Sequence, residues 1–565
     1  MWLINTTTLQ LEEFASHPKG EYAILSHRWE EGNEVNFQHW KARKSIEQRG
    51  CHKIMKFVQK AAERGLRYAW ADTCCINRES SEELSEAINA MFKYYENSAE
   101  CYVYLSDLPP STQVDQGLSA HHTSGTEQAI EKARGVSFAE SEWFRRGWTL
   151  QELIAPRKVY FFDCDWQFYG TKKTLKHHIM DVTGISDLVI DGSSHIRDCS
   201  IACRMSWAAN RETTRVEDMA YCLLGIFDIH LPLLYGEGEE AFVRLQEKIC
   251  TETTDMSLFA WKTLEPSDFY SSLLAISPAN FRDSAQVALF DLPLQTDYND
   301  EFAVTNRGVR FDQMSLHFST RYGVLLDLHC CMENDATYTA LFICVCRTQD
   351  NWVRCRANEL IQLDQEAAAK LECLEPSRIF LRKTSKPRSL RSSTIFRGTL
   401  LFEFSPAIQI ISSAPSHLWD PCVQGFVPNQ RTRGAVQISI KQGEREQETF
   451  LILCGNDPWD NDGNYIHDWR QRYRFAGLAQ AHISMKEIRS LIRKLQLRTD
   501  DGWFEIGNYL NRYARRNCCN KKDSKYFDHV VMGKHHKLSV QGKVVTGCGA
   551  DGDSWDMVKL SVSCL

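Results

Sequence analysis

At 565 residues the chain is too long for one ordinary domain, so two or three are expected. Apolar residues make up 43% and charged residues 25%, enough to fill true cores; a formal charge of −7, a pI near 6.2 and dispersed Lys and Arg argue against a nucleic-acid partner. The 21 cysteines are odd in number and contain no CxxC pair, so neither a zinc module nor any other metal site is expected. The start lacks a basic segment followed by a long apolar core, and the longest apolar run, residues 340–346, is far short of the ~20 that span a bilayer. Reduced thiols in a cytoplasmic protein without a membrane span are the expectation.

Taken in chain order, the first 260 or so residues alternate strand and helix signals. Tyr22 to Leu25 is a compact apolar run stopping at Ser26-His27. From Lys53 to Arg64, Ile54, Phe57, Val58 and Ala61 fall at helical spacing, with Gly65 placed to end the helix. Leu66 to Ala71 reads as a strand stopping at Asp72. Ser80 and Glu83 suggest a capping box before the stripe Leu84, Ala87, Ile88, Met91, Phe92 and Tyr95. Cys101 to Leu105 is a third strand, Pro109 to Ala139 a surface insertion, Glu142 to Ile154 a helix closed by Pro156, and Val159 to Phe162 a fourth strand. This alternation predicts an α/β fold with a parallel sheet.

From Cys199 to Lys262 the pattern is helical, with Thr214 and Glu217 offering a second capping box and a turn at Leu231 to Gly236. Beyond about Glu265, period-two segments recur at 322–329, 337–346, 400–404, 435–440 and 449–454, interrupted by one amphipathic helix near Met485 to Leu495. The expected domains are therefore 1–198 (core 21–165), a helical extension over 199–262, and a mostly β domain over 263–565, for which a sandwich is the expected form.

Ligands of open parallel sheets sit beyond the carboxyl ends of the strands, which gathers Ser26, His27, Arg28, Asp72, Ser106 and Asp107 at one edge. On a single helix over 142–154, Trp143, Leu150, Leu153 and Ile154 form the core face, while Arg145, Trp148, Thr149 and Glu152 share another. Glu152 is then expected to point away from the core, near the helix C-terminus, where the macrodipole disfavours a negative charge. A carboxylate so placed, beside an indole and a guanidinium, is a candidate catalytic group; the plain alternatives are a solvated surface residue or a Thr149–Glu152 capping box, the latter set aside because it needs a helix of barely six residues before Pro156.

Three strings are more specific: Tyr22 to Glu30 (YAILSHRWE), Tyr68 to Asn77 (YAWADTCCIN) and Phe144 to Pro156 (FRRGWTLQELIAP). They resemble the motif blocks of the heterokaryon incompatibility (HET) domain, and Arg204 to Ala208, Glu217 to Gly225 and Leu233 to Gly238 resemble the segment that often follows it. The resemblance implies a filamentous fungus and a role in self/non-self recognition, in which activation of the domain triggers programmed cell death. The HET domain in turn resembles TIR domains, whose enzymatic members cleave NAD+ between nicotinamide and ribose. Their catalytic glutamate lies between the third and fourth strands in a Trp-x-x-x-Glu context, which Trp148 to Glu152 matches.

That resemblance implies NAD+ as substrate rather than cofactor and Glu152 as the catalytic carboxylate; with the edge residues Ser26, His27, Arg28 and Asp72 already gathered there, Arg145 or Arg28 placed to take the pyrophosphate and Trp148 to stack on a ring, these are the expected substrate-binding residues, and no metal is required. Two rivals stand beside it. One is a non-enzymatic domain that self-associates, recruits partners or answers a separate sensor, using exposed tryptophans such as Trp29 and Trp40. The other is a cysteine hydrolase pairing His27 with Cys74.

Overall fold

The computed structural model describes residues 1–15, 18–30, 32–42, 49–110, 138–263 and 270–289, then 302–383 with short breaks and separate strands between 400 and 564. Most of the insertion beginning at Pro109 and the helix expected near Met485 lie outside the described residues. The chain divides into two compact units: Met1–Leu264 with Leu274–Thr296 and Leu328–Leu341, and Glu265–Leu273 with Asp297–Asp327 and Phe342–Leu565.

The first unit is mixed α/β. Its sheet comprises β1 (Trp2–Asn5), β2 (Leu11–Glu13), β3 (Tyr22–His27), β4 (Tyr68–Trp70), β5 (Glu100–Tyr104), β6 (Val159–Phe162) and β7 (Phe168–Thr171), in the order β2-β1-β4-β3-β5-β6-β7. The central four, β4-β3-β5-β6, are parallel; β1, β2 and β7 are antiparallel edge strands that the sequence pattern did not announce. The parallel strands thus run second, first, third, fourth. Strand order reverses between β3 and β5, and ligands of doubly wound sheets bind at such a point, beyond the carboxyl ends.

All six residues of β3 are buried. Its register sets Ser26 opposite Val103 and His27 opposite Tyr104, and because successive side chains alternate, Ser26 and His27 leave the sheet on opposite faces. After α1 (Phe37–Lys41), helix α2 (Arg49–Glu63) covers the His27 face, burying Cys51, Ile54, Phe57, Val58 and Ala61, with Phe57 edge-on to Tyr102. Gly65, at φ +78, ends α2 as expected. A single turn, α3 (Asp72–Cys75), follows β4.

Helix α4 (Ser81–Asn97) covers the Ser26 face: the Tyr22 hydroxyl donates to the Tyr94 carbonyl, and Trp70 packs edge-on against Tyr94 and Tyr95. Only half of its expected capping box forms. Ser80 Oγ accepts from the Glu83 amide at 3.2 Å, but the Glu83 carboxylate accepts from Asn77 instead.

The helix expected over 142–154 is two pieces. A 3-10 turn (Glu142–Arg145) is followed by extended Arg146 and by α5 (Thr149–Ile154), six residues long. The break is imposed by the segment around Glu212, whose carbonyl accepts from the Gly147 amide at 2.8 Å and whose amide donates to the Arg145 carbonyl at 2.6 Å. Gly147 is required there, because a Cβ would stand 2.6 Å from Thr213 and 3.1 Å from the Cys222 sulfur.

The chain continues through α6 (Lys176–Thr183), α7 (Asp187–Asp191), α8 (Ile201–Ser206), α9 (Asp218–Tyr221), α10 (Leu224–Phe227) and α11 (Glu240–Glu252). Helix α10 lies against α4 so closely that a Cβ on Gly225 would come within 2.1 Å of Phe92. The Thr214–Glu217 capping box is absent: the Glu217 carboxylate instead accepts from the amides of Gly236 and Gly238 at 2.7 and 3.1 Å, shaping the following turn. Later chain completes this unit. Ser200 Oγ donates to the Val287 carbonyl at 2.5 Å, and the Gln246 side chain exchanges hydrogen bonds with the Ala275 backbone.

The second unit is β-rich. Thr432–Ile440 pairs antiparallel with Ile408–Ala414 and with Glu448–Asn456, which also pairs with Tyr473–Ala479. Lys537–Cys548 runs antiparallel to Ser554–Cys564, and Leu400–Phe404 runs parallel to the latter. Among the described residues no helix is long and apolar enough to cross a membrane.

Candidate functional site

Glu152 sits in the first turn of α5, and its side chain points inward, not outward as the single-helix reading required. Because α5 packs on both β3 and α4, Thr149, Leu150, Gln151, Glu152 and Leu153 are all buried. The helix N-terminus favours an anion at this position, the reverse of the expectation from a longer helix.

A closed set of hydrogen bonds surrounds the carboxyl. Trp143 Nε1 donates to Ser26 Oγ at 2.8 Å, and Ser26 Oγ donates to Glu152 Oε2 at 2.5 Å. Tyr95 also hydrogen-bonds Glu152, while its own hydroxyl proton goes to the Leu25 carbonyl at 3.0 Å. Burial is the main reason the Glu152 carboxyl is pushed up to about 8; the nearby Asp72 charge adds to this, whereas Ser26, Arg146 and Tyr95 pull the other way. Among the described residues none forms an ion pair with it.

The ends of α5 are held from elsewhere. Fully enclosed Arg211 donates to the Arg146 carbonyl and to Thr149 Oγ1, both at 2.9 Å, and Thr149 Oγ1 donates to the Trp143 carbonyl at 2.6 Å. At the other end, buried Lys172 donates to the carbonyls of Ile154 and Pro156 at 3.2 and 3.3 Å. Two cations distant in sequence thus fix the helix that carries the carboxyl.

Of the residues expected to bind substrate, Ser26 touches Glu152 and Asp72 is close enough to influence its charge; the others lie apart. His27, on the opposite face of β3, is buried with its ring nitrogens 3.6 Å from Glu34 and 3.9 Å from Asp72. Arg28 is exposed. Arg145 is exposed and pairs with Glu142 at 3.3 Å; the guanidinium that influences Glu152 belongs to Arg146. Trp148 is half-buried and hydrogen-bonds Asp218 on α9.

Asp72 accepts from Trp29 Nε1 at 2.8 Å, and the Arg78 guanidinium lies 4.1 Å over the Trp29 ring. Trp40 is buried, so the expected exposed tryptophan face is not formed. Cys74 is fully buried, and burial first, then neighbouring Cys75, pushes its thiol well up; its Sγ faces the Ala71 carbonyl while the His27 ring faces Glu34 and Asp72, so among the described residues no thiolate–imidazole pair forms. No metal-binding cluster occurs among the described residues. Sequence reading missed Tyr95, Trp143 as a donor, Arg146, Arg211 and Lys172; the helical spacing of Tyr95 marked it only as apolar.

Residues 22–152, which span this site from β3 to Glu152, match the family model described as "Heterokaryon incompatibility protein (HET)". This segment carries a HET domain. Over 230 residues the chain is 44% identical to "Vegetative incompatibility protein HET-E-1" of Podospora anserina, a match covering 40% of this chain and 16% of that relative. No solved structure matches the chain. Within the HET domain, Ser26, Asp72, Trp143 and Glu152 all fall inside the matched segment, whereas Lys172 and Arg211, which hold α5, lie after it.

Proposed function

We propose that the chain acts in vegetative incompatibility, triggering cell death on non-self recognition, and that its HET domain does so by hydrolysing NAD+ between ribose and nicotinamide. The observation that carries the reading is Glu152: a buried carboxyl with no paired cation among the described residues, at the point where strand order reverses, on a parallel strand order of 2-1-3-4.

Such a group is set to receive a cation. Nicotinamide in NAD+ carries a positive charge, and its approach favours the ionised form of Glu152. The ribosyl–nicotinamide bond then breaks with its electron pair going to the nicotinamide nitrogen, which leaves neutral and needs no general acid. Positive charge develops on the ribose, as in an oxocarbenium-like glycosidic transition state, and the Glu152 carboxylate stabilises it. Water adds to the anomeric carbon and loses one proton. Ser26 orients the carboxylate, and Trp143 orients Ser26.

The test is NAD+ loss and nicotinamide release by the full chain at high concentration, beside Glu152→Gln. The full chain is used because residues after 264 complete the first unit. Cleavage by the parent and none by the folded variant supports the reading; equal rates refute it.

A second reading, assembly and recruitment without catalysis, draws on Val216, Leu234 and Tyr235, apolar side chains 56%, 51% and 37% exposed near α9. It requires that Glu152→Gln leave cell killing intact while polar substitutions at Val216 and Leu234 abolish it.

A further inference from the structure

Cys199 and Cys203 flank the N-terminus of α8. Cys199 closes the preceding 3-10 turn with extended backbone (φ −84, ψ 141), Ser200 caps the helix by accepting from the Cys203 amide at 3.1 Å, and Cys203 is the third helical residue. The capped turn brings the two side chains to one side, where the thiols hydrogen-bond each other. Both are half-buried, so a small oxidant can reach them. Cys74 and Cys75 also hydrogen-bond each other but are buried, as are Cys101, Cys222 and Cys250.

We propose that Cys199 and Cys203 form a reversible peroxide-oxidation site that closes to an intramolecular disulfide, Cys199 being the attacking thiol. The Cys203 thiol donates to Cys199, and the neighbouring Arg204 guanidinium also favours a negative charge there, so Cys199 is held below the ordinary thiol range while Cys203 is pushed up.

In the first step the Cys199 thiolate attacks one oxygen of hydrogen peroxide; the O–O bond breaks, hydroxide leaves and a sulfenic acid forms. In the second, Cys203 sulfur attacks Cys199 sulfur, the S–O bond breaks, and the hydroxide released combines with the Cys203 proton as water. Overall, two thiols lose two hydrogens and peroxide is reduced to two waters. A thiol reductant reverses the bond. The segment that follows α8 ends in Arg211, which grips the turn before Glu152, so the oxidised pair lies one short stretch of chain from the candidate site.

Trypsin cuts after Arg197 and Arg204, releasing both cysteines in one peptide, Asp198 to Arg204. Full-length protein treated with hydrogen peroxide, then alkylated and digested, is expected to yield this peptide two hydrogens lighter and unalkylated, returning to the doubly alkylated form after thiol reduction. In Cys203→Ser, Cys199 is expected to be trapped by dimedone as the sulfenic acid. The proposal is overturned if the parent peptide stays doubly alkylated at peroxide doses that oxidise exposed Cys373. It is equally overturned if the disulfide forms in the same yield in urea-unfolded chain, since the fold would then contribute nothing.

Discussion

Replacing Glu152 by Gln is expected to make the folded protein more stable, and increasingly so as pH rises. Gln has the shape of the protonated acid, and its carbonyl can accept from Ser26 as Oε2 does. In the unfolded chain the carboxyl ionises near 4.5; in the folded one it does so near 8. Folded protein therefore holds a proton that unfolded protein has lost throughout that interval. The stability this provides is fully present below about 4.5, falls as pH rises, and is gone above about 8. At ~1.4 kcal/mol per pH unit the ceiling is about 5 kcal/mol, and polar relaxation around the site reduces it to a few. At ~2–4 °C per kcal/mol, Glu152→Gln should melt roughly 5–10 °C above the parent at pH 8, with a much smaller gap at pH 5. Thermal unfolding followed by tryptophan fluorescence across pH 5 to 8.5 reads this directly. A variant less stable than the parent at pH 8, or a gap that does not change with pH, would refute the account of Glu152 as a buried, predominantly neutral acid.

If NAD+ cleavage needs the carboxylate, kcat/KM should climb with pH and level off above about 8, since it reports the free enzyme; a profile flat from pH 6 to 9 argues against Glu152 in that role. Ser26→Ala removes the hydroxyl that donates to Glu152 and leaves Trp143 Nε1 unpaired; it should cost ~1–3 kcal/mol in denaturant titration and move the pH profile upward. Gly225→Ala forces a methyl into Phe92 on α4 and should cost ~1–3 kcal/mol or more, measured by thermal unfolding. Lys172→Met strips the donor from the Ile154 and Pro156 carbonyls, with an expected loss of ~1–3 kcal/mol and faster amide exchange confined to α5.

Local patterning carried most of the first unit. Apolar runs ending at Ser26-His27 and Asp72, the amphipathic faces of α2 and α4, and Gly65 as a stop are properties of short stretches, and each can be read without its neighbours. The same is true of the β-rich character of the later chain, where period-two runs at 400–404 and 435–440 fall within observed strands. Glu152 was legible as a candidate through its motif, although the geometric reason first attached to it was wrong.

That error shows where local reading ends. Residues 142–154 have helical periodicity throughout, and nothing within them requires a break except Gly147; the break comes from backbone pairing with Glu212, some 65 residues onward. Splitting the helix turns Glu152 from an outward residue near a C-terminus into an inward one in a first turn. Sequence by itself determined the four parallel strands, helices α2 and α4, and the carboxyl edge of the sheet at which the family motifs gather. Tertiary structure alone decided which edge residues meet. Strand alternation sends Ser26 and His27 to opposite faces, and burial by α4 and β3 keeps the Glu152 carboxyl protonated toward pH 8. Such effects depend on distance and dielectric in three dimensions, and neither is written in the order of residues along the chain.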